Sequence, residues 1–252
     1  MKEKILIWEK LVYNALIKQV CQLRGEENML TTILFDLDGT VTNSLPLIKQ
    51  TYAKVFKEMG LNWGNDDVMR LIGLPLKEIG RQFAGELRVE EFFDRYQYFY
   101  RREHNRCMEV YPGTEELLNQ LGKQFTLAIV TSKSKVGTEM TLDFLKLKNK
   151  FSVVITADDV EKHKPDPEPV EKALASLDAH PDEAVFIGDS PFDIVSGNNA
   201  GVTTIAVSWG MADAAELNTH LPNYLVSSRE QLSVVIEKIA QEGALPQRVS
   251  KK

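Results

Sequence analysis

The chain has 252 residues, 43% of them hydrophobic and 26% charged, enough for one large domain or for a core carrying a smaller insert. A net charge of −6 repels nucleic acid and anionic membrane surfaces alike, although one bound cation and a local lysine can reverse the field at a single site. No apolar run reaches the length of a membrane span, and the two cysteines, Cys21 and Cys107, stand far apart with no partner motif, which fits a reducing cytoplasm and no disulfide framework.

Residues 1–28 read as a segment of their own, an amphipathic N-terminal extension. Ile5, Trp8, Val12, Leu16 and Val20 recur at three- and four-residue steps, one face of a helix. Such a helix can pack on its own domain or on a partner, can lie on a membrane surface, or can be an extension ahead of Met29. Glu3, Lys4, Glu9 and Lys10 interrupt what would be the apolar core of a secretory signal. The expected location is the cytoplasm.

From Met29 onward, short apolar runs alternate with helical periods. Leu30–Phe35, Thr126–Val130, Val153–Thr156, Ala184–Ile187 and Thr204–Val207 read as buried strands. Val136–Leu147 reads as a helix with Val136, Met140, Phe144 and Leu147 on one stripe. Glu168–Leu177 reads as another, with Pro169 in its first turn. Near-continuous apolar strands separated by helices predict an α/β fold: a doubly wound, Rossmann-like parallel sheet covered on both faces.

The alternation breaks between Asn43 and Tyr111, where only helical periods occur. Ile48, Tyr52, Val55, Phe56 and Met59 share one face, and Gly60 is a natural stop. Asn65 is placed to cap a second helix running through Ile72. Phe92, Phe93, Tyr96, Phe99 and Tyr100 mark a long aromatic helix, expected to supply a helix–helix core. The predicted division is therefore an α/β core at 29–43 and 112–245, with an all-helical cap at 44–111 inserted after the first strand.

In an open parallel sheet, ligands bind beyond the C-terminal ends of the strands. The residues found there are Asp36-Leu37-Asp38-Gly39-Thr40, then Thr131 and Ser132, then Asp158 and Asp159 with Lys164-Pro165 beyond them, then Gly188-Asp189-Ser190 and Asp193. Alternation puts Asp36 and Asp38 on one side of the strand end. Asp189 and Asp193 would bring the carboxylates to four. Each close pair repels by roughly 4 kcal/mol at ~4 Å and an effective dielectric near ~20. Protonation or a hard cation relieves this, and magnesium suits such oxygen ligands where phosphate is handled. Asp158 and Asp159 are expected only to cap local turns.

Four segments, Asp36-Leu37-Asp38-Gly39-Thr40-Val41, Thr131, Lys164-Pro165-Asp166-Pro167 and Gly188-Asp189-Ser190-Pro191-Phe192-Asp193, resemble in order and spacing the motifs of the haloacid dehalogenase-like phosphatases. The likeness covers residues 30–240, and the helical insert matches the cap position of the subgroup with phosphoglycolate phosphatase, β-phosphoglucomutase and small pyrophosphatases. The resemblance implies a phosphohydrolase with Asp36 as nucleophile and Asp38 as general acid and then base. It implies that Thr131 and Lys164 bind the phosphoryl group, with Ser132 beside them, and that Gly39 frees the backbone to approach it. It further implies Mg2+ held by Asp36, the Asp38 carbonyl and Asp189, with Asp193 a ligand or a support.

Substrate choice is expected in the insert, at Gly73-Leu74-Pro75-Leu76-Lys77-Glu78, with Lys77 a candidate for the distal end of an anionic substrate and Arg70 and Arg81 weaker ones. The segments at 161–170 and 72–79 look most like bacterial pyrophosphatases of this family, with phosphoglycolate phosphatases close behind. The expected partner is thus a small phosphorylated metabolite or pyrophosphate, with no nucleic acid or membrane, and the expected state a monomer or homodimer. A sugar phosphomutase and a catalytically silent phosphate-binding protein share the same motifs. The four histidines, His104, His163, His180 and His220, show no zinc-ligand spacing, and His163 reads as an exposed loop residue.

Overall fold

The computed structural model describes residues 29–242; the helical pattern expected within 1–28 lies outside the described residues. Six strands, β1 (Thr32–Phe35), β2 (Thr126–Val130), β3 (Val153–Ile155), β4 (Ala184–Gly188), β5 (Thr203–Val207) and β6 (Tyr224–Val226), form one sheet. All pairings are parallel, in the order β3-β2-β1-β4-β5-β6. The order reverses at β1, where Phe35 pairs with Ile129 on one side and Ile187 on the other. The strand ends around β1 are therefore where a ligand crevice opens.

The two faces of β1 show why the sheet is wound on both sides. Ile33 and Phe35 pack with Leu118 of α4 (Thr114–Leu121) and Ile236 of α9 (Arg229–Glu242). Leu34, pointing the opposite way, packs with Val170 and Ala173 of α6 (Glu168–Leu177). With both faces buried, the strands carry no polar alternation, which is why they read as continuous apolar runs. The remaining core helices are α5 (Lys135–Phe144), α7 (Pro191–Asn199) and α8 (Ala214–Thr219).

After β1 the chain leaves the sheet for three helices, α1 (Leu45–Met59), α2 (Leu76–Ala84) and α3 (Val89–Cys107). α1 starts with a proline in its first turn and stops at Gly60, whose φ of 65° closes the helix in the left-handed conformation. Phe56, Phe92, Tyr52 and Tyr96 form the heart of a second hydrophobic cluster, separate from those on the sheet. The aromatic stripe is thus a helix–helix core.

Three local expectations differ from the structure. Residues 67–71 form a short 3-10 turn, not a helix capped by Asn65. The reason is Asp66, which turns left-handed (φ 61°) and takes hydrogen bonds from Lys49 and the Trp63 indole. In α5 the expected stripe divides: Leu147, just beyond the helix, is buried and Met140 packs against the insert's cluster, whereas Val136 is 57% and Phe144 40% exposed. The buried side is instead Gly137, Thr138, Thr141 and Leu142, small enough to let the helix lie close, and Lys146 in a left-handed conformation (φ 57°) ends it early. Finally, β6 has no counterpart in the expected strands; it is a three-residue edge strand with Leu225 exposed, too short to show a pattern. Among the described residues no helix is long and apolar enough to cross a membrane.

Candidate active site

The loop after β1 is shaped by its own backbone. Asp36 continues the ladder by donating its N–H to Ile187, and Thr42 turns back to donate its amide and hydroxyl to the Leu37 carbonyl. Gly39 sits in the bend at φ 90°, where an L side chain is strained. That bend leaves Asp36 buried at the strand end and aims the Asp38 carboxylate along a different line.

Lys164 arrives from the loop between β3 and α6 and is buried to 2% exposure. Its ammonium donates to Asp36 at 2.7 Å, to Asp193 at 2.6 Å and to the Val130 carbonyl at 3.3 Å. Burial pulls this lysine's pKa down, but Asp193 and Asp36 outweigh that and hold it above its ordinary value. Asp193 serves two purposes at once. Its other oxygen accepts from the Ser190 amide and hydroxyl, closing a capping box at the start of α7.

Asp189 is 1% exposed and fixed from two directions, by the Thr40 hydroxyl at 2.7 Å and the Met211 amide at 2.6 Å. Burial, reinforced by Asp193, pushes its carboxyl up to about 7. Burial also raises Asp36 well above the usual carboxylate range; Lys164 opposes this, while Asp193 and Asp189 add to it. Oxygens of Asp36, Asp189 and Asp193 lie within 4.8 Å of one another. Two of these buried carboxylates bond one ammonium and the third has no cation against it among the described residues, so the cluster is short of positive charge, and an oxygen-only donor set of this kind fits a hard divalent cation.

The expected cluster of four carboxylates divides into three and one. Asp38 is not among the three that converge; its two oxygens each accept from the Lys133 ammonium at 3.0 Å, and Thr42 reaches one of them at 3.5 Å. Lys133 also donates to the Tyr100 hydroxyl at 2.6 Å and lies 4.6 Å from the centre of that ring. Burial lowers the lysine's pKa, and Asp38 and Tyr100 more than restore it. Burial keeps the Tyr100 phenol above its usual range.

Neither Lys133 nor Tyr100 stood out in the sequence. Lys133 follows Thr131 by two residues, so its place beyond β2 was the available signal; Tyr100 was read only as a core aromatic.

The remaining expected residues line a cavity of 460 Å³ between the strand ends and the helical insert. Thr131 and Ser132 stand on the sheet side with Asp36, Asp38 and Asp189. Residues 73–79 stand opposite, and Gly73 lies so close to motif residues that an added Cβ would meet the Phe192 ring at 2.7 Å. Lys77 lines the cavity, with its ammonium on Glu90 at 2.8 Å and 5.2 Å from the Phe93 ring centre. Arg81 also lines it and pairs with Glu86, whereas Arg70 is exposed and outside it. Asp159 caps the turn at Thr156, and Asp158 accepts from the Lys135 amide. His163 lines the cavity and is half-buried rather than exposed, with its Nδ1 buried and lacking a hydrogen-bond partner.

The family model for haloacid dehalogenase-like hydrolases matches residues 33–207, which include Asp36, Asp38, Thr131, Lys133, Lys164, Asp189 and Asp193. The chain belongs to that family. It is 37% identical over 212 residues to pyrophosphatase PpaX of Bacillus mycoides, covering 83% of this chain and 98% of that one. A hydrolase structure from Pseudomonas syringae superposes with a TM-score of 0.76 at 25% identity, covering 83% of this chain and 99% of that one. A structure described as a predicted phosphoglycolate phosphatase from Haemophilus somnus has a TM-score of 0.73 at 23% identity, covering 82% and 97%, and shares the fold. As a haloacid dehalogenase-like hydrolase with pyrophosphatase relatives at this identity, the chain is a phosphatase acting on small phosphorylated substrates.

Proposed function

We propose that this chain is a magnesium-dependent phosphohydrolase that transfers a phosphoryl group from a small substrate to Asp36 and then to water. The observation that carries this reading is the buried Lys164 ammonium between Asp36 and Asp193, with Asp189 converging on the same point. In the first step an Asp36 oxygen attacks phosphorus, the bond to the leaving oxygen breaks, and Asp38 gives that oxygen a proton. In the second, a water oxygen attacks the same phosphorus, the bond to Asp36 breaks, and the water proton passes to Asp38. Covalent catalysis divides one difficult displacement into two easier ones, each requiring mainly alignment and neutralised charge.

Each residue has a part in this scheme. Lys164 neutralises Asp36 and the phosphoryl oxygens, Thr131 and Ser132 donate hydrogen bonds to them, and Gly39 lets the backbone approach. Asp36, Asp189 and the Asp38 carbonyl would hold Mg2+, with Asp193 as ligand or support. When bound, the cation offsets the negative charge that spreads over the phosphoryl group. Residues 44–111 act as a cap on the core of 29–43 and 112–245, excluding bulk water during transfer. Lys77 stands in the cap to meet the distal end of an anionic substrate.

The favoured substrates are inorganic pyrophosphate, which the pyrophosphatase relative from Bacillus mycoides supports, and phosphoglycolate. Phosphate release from both, with and without magnesium, tests the reading. Release that requires the metal and disappears in Asp36→Asn is the expected result. Undiminished release by folded Asp36→Asn rules out Asp36 as the nucleophile.

A further inference from the structure

Asp38 comes from the sheet edge and Tyr100 from the helical insert, yet both end on the same ammonium. The three N–H bonds of Lys133 meet three acceptors: the two Asp38 oxygens at 3.0 Å each and the Tyr100 hydroxyl at 2.6 Å. The side chain is 10% exposed, so these partners are what make a buried cation tolerable there. All three donors are engaged within the protein, two of them on Asp38, so the influence of Lys133 on the reaction runs through that carboxylate. Among the described residues, the other side-chain hold on Asp38 is Thr42 at 3.5 Å, the outer limit for a hydrogen bond.

We propose that Lys133 is a positioning residue that orients the Asp38 carboxylate toward the leaving-group oxygen, and that Tyr100 makes this orientation depend on the docked insert. This rests on the roles of Asp36 and Asp38 set out above. When Asp38 carries the proton for the leaving oxygen, one carboxyl oxygen presents it while the other stays on the ammonium; Lys133 keeps its own protons throughout. Tyr100 stacks on Tyr96 at 5.7 Å within the core of the insert, so a shift of α3 carries the phenol away from Lys133. The ammonium then loses both its third acceptor and the ring beneath it, and its grip on Asp38 loosens. The acid is thereby aligned when the cap is seated on the core.

Leaving-group dependence tests this. An alkyl phosphate needs its leaving oxygen protonated, whereas p-nitrophenyl phosphate departs as a stable phenolate and needs little help. The first turnover with magnesium is measured on both substrates for the unmodified protein and for Lys133→Met, Lys133→Arg and Tyr100→Phe. Lys133→Met is expected to lose about a hundredfold in the saturating rate of that first turnover on the alkyl ester and less than about tenfold on the aryl ester, with the half-saturating substrate concentration little changed. Lys133→Arg, whose fork also fits two carboxylate oxygens, is expected to recover most of the alkyl rate. Tyr100→Phe is expected to show the same bias to a smaller degree. Equal losses on both esters, or a raised half-saturating concentration at an unchanged saturating rate, overturn the inference while leaving the phosphatase reading standing. Should Lys133→Met fail to fold, Tyr100→Phe and Lys133→Arg decide, and absence of any leaving-group bias in Tyr100→Phe overturns it. No metal-dependent release from either ester by the unmodified protein removes the phosphatase reading and the inference together.

Discussion

Gly39 is packed directly against Asp189: a Cβ at position 39 would lie 2.2 Å from the Asp189 Oδ2. The same oxygen faces Gly210, where an added Cβ would come within 2.3 Å. Two glycines thus clear the space that lets a buried carboxylate stand beside the strand-end loop. Asp189 cannot yield, because Thr40 and Met211 hold both its oxygens. Gly39→Ala is therefore expected to displace the carboxylate and strain a backbone at φ 90°, lowering turnover by about a hundredfold and stability by about 1–3 kcal/mol. Gly60→Ala is the control, since its φ of 65° carries similar strain but nothing lies within 4 Å. Steady-state kinetics with thermal melts separate the two: both variants lose stability, and only Gly39→Ala loses turnover. Equal turnover in both would remove the steric argument.

Replacing Lys164 by methionine leaves Asp36 and Asp193 buried without their shared ammonium. Removing one partner of a buried ion pair costs about 3–5 kcal/mol, or roughly 10 °C in Tm for a chain of this size. Added magnesium is expected to recover part of that loss, because a divalent cation can offset the same carboxylates. Phosphate release is expected to stay absent, since the lysine also neutralises the transferred group. Differential scanning calorimetry with and without magnesium checks the first two expectations. A Tm equal to that of the unmodified protein would show that the carboxylates are stable without the lysine.

The parts of this architecture that were legible in advance share one property: their signal is local. β2 and α6 have the expected bounds because a doubly buried strand is an unbroken apolar run and a proline marks a helix start. Asp36, Asp189 and Lys164 could be named because each follows a strand of a parallel sheet and lies in one of four segments that resemble the family's motifs in order and spacing. The outward turn of Val136 and Phe144 was not legible, since helical period gives a stripe but not the partner that covers it. Lys133 was hidden for a related reason. Its meaning comes from Tyr100, 33 residues away, and Asp38, 95 residues away, and no spacing rule connects them.

The carboxyl of Asp189, raised to about 7 by burial and by Asp193, sets a pH dependence for the metal-free protein. The unfolded group titrates near 3.8, so between about 4 and 7 the folded state holds a proton that the unfolded state has released. The contribution is stabilising below the unfolded value and is lost as pH rises through the folded one. Without metal, Tm is expected to fall by several degrees between about pH 5 and 8 from this group. A magnesium ion held by Asp189 would displace that proton, so its stabilising effect is expected to grow over the same interval. Melts at several pH values with and without magnesium measure this, and Asp189→Asn should flatten both trends. A magnesium effect independent of pH would mean that the cation binds without displacing that proton.

The helical insert has its own core, and that makes it separable in experiment. Phe92 is fully buried, with its ring 6.1 Å from Tyr52 and 6.0 Å from Phe56. Gly80 of α2 approaches it so closely that an added Cβ would stand 3.0 Å from the ring. Phe92→Ala leaves a cavity among α1, α2 and α3 and is expected to cost about 3–5 kcal/mol. Because that cluster is distinct from those on the sheet, the loss should be felt first within the insert. Amide hydrogen exchange is expected to speed up in α1 and α3 while β1 and β4 stay protected. Turnover should fall with it, since Tyr100 on α3 then spends less time against Lys133. Uniform acceleration across β4 and α3 would instead show that insert and core unfold as one unit.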